Sequence, residues 1–342
     1  MHKPLLSLLL LLLPLLAAAQ TKTLDIYWVD VEGGAATLIV TPAGESILID
    51  TGNPGGRDAG RIHKAATDAG LKQIDYLVTT HFHIDHYGGA AELARKMPVL
   101  NIYDKGVPEA LPEDAQFAER IQEYNDIEAK RQKVSRGTQL KLKKARGAQP
   151  LTFRFVGADQ QFDDAPGNAA RTDSCDAVAD KAVDNSDNAN STVMLLEYGP
   201  FRFFDGGDLT WNVEKTLVCP VNRLGTVDVF QVNHHGLDQS NHPLLVKALQ
   251  PTVAVMGNGT RKGCGPATFT TLKSTPSVRA IYQAHKNLRE DSQYNAGDAY
   301  IANLEAECQG NYVKLSVAPD GKSYTVSIPA SGHTQTYQTR GK

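Results

Sequence analysis

His81-Phe82-His83-Ile84-Asp85-His86 packs three imidazoles and a carboxylate into six residues of a 342-residue chain. The run before it, Ile74-Asp75-Tyr76-Leu77-Val78-Thr79-Thr80, is short, apolar and β-branched, the pattern of a buried strand. After it, Gly88-Gly89 leads into residues 90–96, a helical stretch stopped by Pro98. In extended backbone, residues two apart project to one side, so His81 and His83 present their rings together. Asp85 and His86 lie past the bend and point at a neighbouring position. Imidazole nitrogen and carboxylate oxygen at this density suit a borderline cation such as zinc. A single histidine is usually structural, whereas four such groups this close read as a metal site.

Upstream, residues 24–31 and 35–40 read as two strands joined at Gly33-Gly34, and residues 46–50 as a third ending in Asp50-Thr51-Gly52 before a helix over 59–70. Downstream, Phe117, Ile121, Tyr124 and Ile127 recur at helical spacing within a charged stretch. Residues 113–136 are therefore expected to form an amphipathic helical insertion, whose basic end over 141–146 reads as a solvated face. Residues 151–156 return to strand. Residues 159–190 are acidic and small, too poor in apolar side chains to pack a core, and are expected to form a long loop across the site. Strands then end in Asp205-Gly206-Gly207-Asp208 and in His234-His235-Gly236, with no histidine between His86 and His234. After another strand over 251–256, the turn bearing Asn258, Arg261 and Lys262 offers groups to hold a negative charge, beside the plainer reading of a solvated turn. His285 ends a further strand and is a candidate to face the site. Residues 312–317 and 323–328 form a hairpin without visible chemistry.

The ends and the composition set bounds. Lys3, an apolar run over 5–16 and Ala17-Ala18-Ala19 read as a secretory signal peptide cleaved near Ala19, with an exported chain from residue 20 onward. The net charge of −3, with acids and bases mixed, argues against a nucleic-acid partner. Cys175, Cys219, Cys264 and Cys308 contain no CxxC pair. In an exported chain they allow up to two disulfides by three pairings, Cys264 with Cys308 being the guess, and cysteine ligation of metal is not expected.

HxHxDH after a β-strand resembles the metallo-β-lactamase superfamily of metallohydrolases. Asn188-Ala189-Asn190-Ser191 before a strand, Gly207-Asp208 and His234-His235-Gly236 are similar to its ComEC/Rec2-like competence-protein and phosphorylcholine-esterase-like branch. The missing middle histidine departs from the β-lactamase pattern and leaves the third ligand of one metal open. The resemblance implies an α/β fold, a four-layer αββα sandwich, forming one domain over 20–342 with insertions at about 105–147 and 158–190. It also implies two metals, zinc first, with manganese or iron as alternatives. One would be held by His81 and His83, the other by Asp85, His86 and one of His234 and His235, with Asp208 rather than Asp205 between them. Asp50, Asn188 and Ser191 would support these ligands by hydrogen bonding. Asp85, His234 and His235 would take the catalytic roles, and Asn258, Lys262 and His285 would lie toward the substrate. The implied reaction is hydrolysis by metal-activated water, on a phosphodiester or a phosphorylated small-molecule or envelope substrate. The alternatives are an acyl hydrolase of lactonase or β-lactamase type, and a non-catalytic metal- or ligand-binding module.

Overall fold

Alternation along each strand decides the layering. In β1 (Leu24–Trp28), Leu24, Ile26 and Trp28 enter one core while Tyr27 enters another on the opposite face. The computed structural model describes residues 22–341 apart from 168 and 174, so the expected signal peptide lies outside the described residues. Strands β1, β2 (Thr37–Val40) and β3 (Ser46–Ile49) pair antiparallel. Beyond them β4 (Tyr76–Val78), β5 (Asn101–Asp104) and β6 (Lys130–Lys133) continue in parallel.

The chain then builds a second sheet from β7 (Leu151–Ala158), β8 (Gln161–Phe162), β9 (Val193–Tyr198), β10 (Phe201–Asp205), β11 (Val229–Gln231), β12 (Val253–Met256), β13 (Ala280–His285) and β14 (Ile301–Asn303). It returns to the first sheet through β15 (Val313–Val317), β16 (Ser323–Ile328) and β17 (His333–Gln338). Among the described residues the orders are β17-β16-β15-β1-β2-β3-β4-β5-β6 and β14-β13-β12-β11-β10-β9-β7-β8.

The sheets face each other across a core that joins Ile26, Trp28, Ile49 and Val78 to Phe155, Leu196, Phe203 and Val255. On the outer face of the first sheet lie α1 (Arg57–Asp68), α2 (Ile84–Tyr87), α3 (Ala90–Ala94) and α4 (Phe117–Asn125), with Ile62, Tyr87, Leu93 and Ile121 packed on Leu38, Leu48 and Leu77. On the outer face of the second lie α5 (Trp211–Val218), α6 (Pro243–Leu249) and α7 (Pro266–Ser274), with Leu217, Leu245 and Leu272 against Phe204, Phe230 and Ala254. The four layers are helix, sheet, sheet, helix, as expected.

Three local expectations need correction. The helix expected over 113–136 ends at Asn125, because residues 130–133 leave it to pair with β5 as a sheet edge. That strand is fully exposed and highly charged, so it carries no apolar signal for a strand. The segment 105–147 therefore adds to the first sheet as well as carrying a helix. The disulfide joins Cys175 to Cys219, not Cys264 to Cys308. Cys264 is buried on the outer side of the second sheet with its Sγ 2.8 Å from the Tyr294 carbonyl, whereas the Cys308 thiol lies against Asp30. The Cys175–Cys219 bond ties the acidic loop to the end of α5, and among the described residues 163–186 form no helix or strand longer than a bridge.

Candidate metal centre

The first half of the site comes from parallel strands ending side by side. Asp50 leaves β3 in the left-handed region (φ 61°) and turns its carboxylate onto the exit of β4. There it accepts from the Thr80 amide at 2.8 Å and the Thr80 hydroxyl at 2.7 Å. It also accepts from His86 Nδ1 at 2.7 Å. His83 caps α2 with extended backbone, which makes the bend that separates His81 and His83 from Asp85 and His86. A Cβ on Gly89 would run into the Thr51 carbonyl, so only glycine lets this helical turn press onto the Asp50 loop.

The second half is delivered by loops of the other sheet. Gly207 and Asp208 follow β10, and the Asp208 amide donates to Ser191 Oγ at 3.2 Å. His234 and His235 both adopt left-handed backbone (φ 54° and 53°), rarely populated by residues with a Cβ. A buried clamp holds this turn. Glu214 accepts from Asn233 Nδ2 at 2.6 Å and from the Asn241 and His242 amides at 2.9 and 2.7 Å. Burial pushes the Glu214 carboxyl up to about 7 against these bonds.

Four donor groups converge where the halves meet. Single atoms of Asp85, His86, Asp208 and His235 lie within 4.8 Å of one another. Asp208 Oδ2 is 3.1 Å from both His86 Nε2 and His235 Nε2, and Asp85 Oδ2 is 3.3 Å from His235 Nε2. His234 Nε2 flanks the group, 3.5 Å from Asp208 Oδ2 and 3.5 Å from Asn188 Nδ2. The His81 ring packs on that of His86 with centroids 4.1 Å apart. Thr80 spends its hydroxyl proton on Asp50, so it accepts from His81 Nδ1 at 3.1 Å; His81 Nε2 is left buried without a partner. His83 is tied instead to Glu113 at 3.1 Å.

The charges in the cluster bear on whether it suits a cation. Burial opposes charge on Asp208, yet His235, His86 and His234 hold its carboxyl well below the usual range. Burial works to lower His86, but Asp208, Asp50 and Asp85 together lift it well above its usual value. For His81, burial and then neighbouring His86 push it well down, keeping the ring neutral. Imidazole and carboxylate donors at this separation, with the partnerless His81 Nε2 beside them, fit a divalent metal.

The other expected residues separate clearly. Asp205, pushed up to about 7 by burial, caps its own turn by accepting from the Gly207 amide. Lys262 reaches the site, its Nζ 2.5 Å from Asp85 Oδ2. Asn258 and His285 do not fit a substrate-side place. Asn258 is fully buried and spends its amide on the Gly259 and His285 carbonyls, while His285 groups with Asp30 and Cys308. Thr80, Glu113 and Glu214 went unnoticed in the sequence. Thr80 adjoins the motif and was findable, whereas Glu113 and Glu214 reach the site only through the fold. Beside Asn188 opens a cleft of about 940 Å3, walled by residues 181–186 of the acidic loop and by Trp211 and Asn212.

Residues 29–153 match the model of the metallo-beta-lactamase superfamily, and the chain carries a domain of that superfamily. The chain is 24% identical over 193 residues to ComE operon protein 3 of Bacillus subtilis (strain 168), covering 56% of this chain and 21% of that protein. It is 23% identical over 227 residues to Competence protein ComA of Neisseria gonorrhoeae, covering 66% and 26%. A UPF0173 metal-dependent hydrolase of Koribacter versatilis is 38% identical over 76 residues, covering 21% and 28%. The matched stretches thus span about a quarter of the length of these relatives. Part of the chain is thus similar to proteins described as metal-dependent hydrolases, and its described residues bring together a candidate metal cluster. No helix among the described residues is long and apolar enough to cross a membrane.

Proposed function

We propose that the protein is an exported hydrolase of a phosphodiester, or of a phosphorylated small molecule or envelope component, using two divalent cations, zinc first among them and manganese or iron as alternatives. We take residues 20–342 as one hydrolase domain with no nucleic-acid partner. The reading is carried by the meeting of Asp85, His86, Asp208 and His235 donor atoms within 4.8 Å. Asp85, His86 and His235 would hold one cation and His81 and His83 the other, with Asp208 between them. Cations bound there would acidify water and neutralise charge developing on oxygen.

The chain's own hydrogen bonds support different work for the two adjacent histidines. His235 Nδ1 faces the Gly257 carbonyl at 3.2 Å, and a carbonyl only accepts, so Nδ1 carries the proton and Nε2 offers a lone pair. Asp50 fixes His86 in the same tautomer. His234 Nδ1 meets Ser240 Oγ at 3.1 Å, a partner that donates or accepts, and its Nε2 lies 3.5 Å from Asn188 Nδ2, on a residue that itself lines the cleft. We therefore assign His235 as the ligand and His234 to the substrate or leaving group, able to give or take a proton at Nε2. Lys262 supplies a positive charge for an anionic substrate.

The test is metal content of the purified chain together with turnover of bis-p-nitrophenyl phosphate and of nitrocefin, repeated in Asp208→Ala. About two zinc ions per chain are expected from this centre, with phosphodiester turnover falling at least about a hundredfold in the variant. Turnover of nitrocefin alone would transfer the protein to the acyl hydrolases. Folded protein without metal or turnover would overturn the hydrolase reading and leave a binding module.

A further inference from the structure

A second convergence of unlike donors lies away from this centre, on the rim where the two sheets meet. Asp30 follows β1 of the first sheet, His285 ends β13 of the second, and Cys308 lies between β14 and β15. One ligand atom of each, a carboxylate oxygen, a ring nitrogen and Sγ, lies within 4.8 Å of the other two. Asp30 and His285 are fully buried. The Cys308 thiol donates to Asp30 Oδ2 at 3.2 Å.

His285 is the observation that calls for a ligand. Its Nδ1 faces the Lys286 carbonyl at 3.2 Å, so Nδ1 carries the proton. Its Nε2 is left a bare lone pair, buried and without a partner. Such an atom is costly to keep unless something binds it. Burial also pushes the Asp30 carboxyl and the Cys308 thiol up, so both resist negative charge until a cation sits beside them. Arg61 is the cation nearest at hand. Its contacts with Asp30 Oδ2 and Cys308 Sγ are long, 3.4 and 3.5 Å. It is held more closely by the Asp30 carbonyl at 3.1 Å and by Glu32 Oε1 at 3.0 Å, and so keeps its place if the carboxylate and thiol turn to another partner.

We propose that Asp30, His285 and Cys308 form a second metal-binding site, for a zinc-class divalent cation, separate from the centre built on His86 and Asp208. Cys308 binds as the thiolate and its proton leaves to water. Sulfur, imidazole nitrogen and carboxylate oxygen together favour zinc over magnesium or calcium, and three protein ligands leave a fourth position open. The expectation that no cysteine ligates metal is thereby reversed for Cys308. The site joins the two sheets at the foot of the Lys262 turn, since Asn258 Nδ2 donates to the His285 carbonyl at 2.7 Å and Gly259 packs against the Glu32 backbone. Occupancy would therefore set where Lys262 stands.

The experiment is titration of the metal-free chain with Co2+, Cys175–Cys219 kept oxidised, while absorption is recorded. The centre around Asp208 offers only nitrogen and oxygen, so a thiolate-to-cobalt charge-transfer band in the near ultraviolet reports Cys308. The band is expected in the wild type, in Asp208→Ala and in Cys264→Ser. It is expected to vanish in Cys308→Ser, and His285→Asn should weaken the Co2+ affinity read from the band at least about tenfold. A folded wild type without the band overturns the inference, whether or not Cys308→Ser folds. So does a band that survives in Cys308→Ser and disappears in Cys264→Ser. The two readings fail separately: phosphodiester turnover without the band removes the second site alone, and the band without turnover removes the hydrolase alone.

Discussion

The two halves of the main centre are built by opposite means. The first half comes from one bend in the chain: His81, His83, Asp85 and His86 occupy six consecutive residues, with Asp50 and Thr80 bracing them from adjoining strand ends. The second half gathers Asp208, His234 and His235 from separate loops, and it holds two histidines in left-handed backbone by way of Glu214, whose hydrogen bonds go to Asn233, Asn241 and His242. The contrast teaches that a compact motif needs only local bracing. A dispersed one needs a buried clamp whose loss is felt by the whole fold.

Glu214→Ala should give the largest effect. It strands three buried N–H donors and removes the hold on residues 233–242, a loss of about 3–5 kcal/mol measured by urea unfolding. A variant as stable as the wild type would break the comparison, because the His234-His235 turn would then need no clamp. Asp50→Asn should spare the fold and weaken zinc binding about ten- to a hundredfold, read by competition with a chromophoric chelator. If it unfolds the chain as Glu214→Ala does, the first half is not locally braced. Glu113→Gln should move stability least, under about 1 kcal/mol, because its contact with His83 is partly exposed. It should tighten metal binding by releasing His83. Weaker binding would make Glu113 itself a ligand and extend the first half into the segment over 105–147.

The same contrast sets how much could be read from the residues alone. The hexapeptide, its flanking strand and the ordered Asp208 and His234-His235 motifs were legible because chemistry-bearing residues stand at fixed short spacings. The four-layer order was implied by the resemblance alone. Glu113 and Glu214 look like ordinary surface acids in sequence, and only folding brings them to His83 and Asn233. Asn258 and His285 looked placed toward the substrate because burial cannot be judged from a turn's composition. The pairing of Cys175 with Cys219 depends on where a loop without regular structure is tied, which no periodicity reports. Strand β6 escaped notice for a related reason: main-chain bonds to β5, with no apolar side chain involved, place it in the sheet.

That strand has a consequence for how copies of the chain meet. Large sheets expose unpaired main-chain groups at their outer strands and invite another chain to add on. Here the borders of the second sheet are two- and three-residue strands, β8 and β14, too short to template much pairing. One border of the first sheet is the polar β17, and the other is Lys130-Arg131-Gln132-Lys133, three cations in four residues. A second copy approaching that border would lay like charges opposite each other before any ladder could form. The most charged strand of the fold thus acts as a guard against fibrillar growth, at the place where the first sheet would otherwise be easiest to extend.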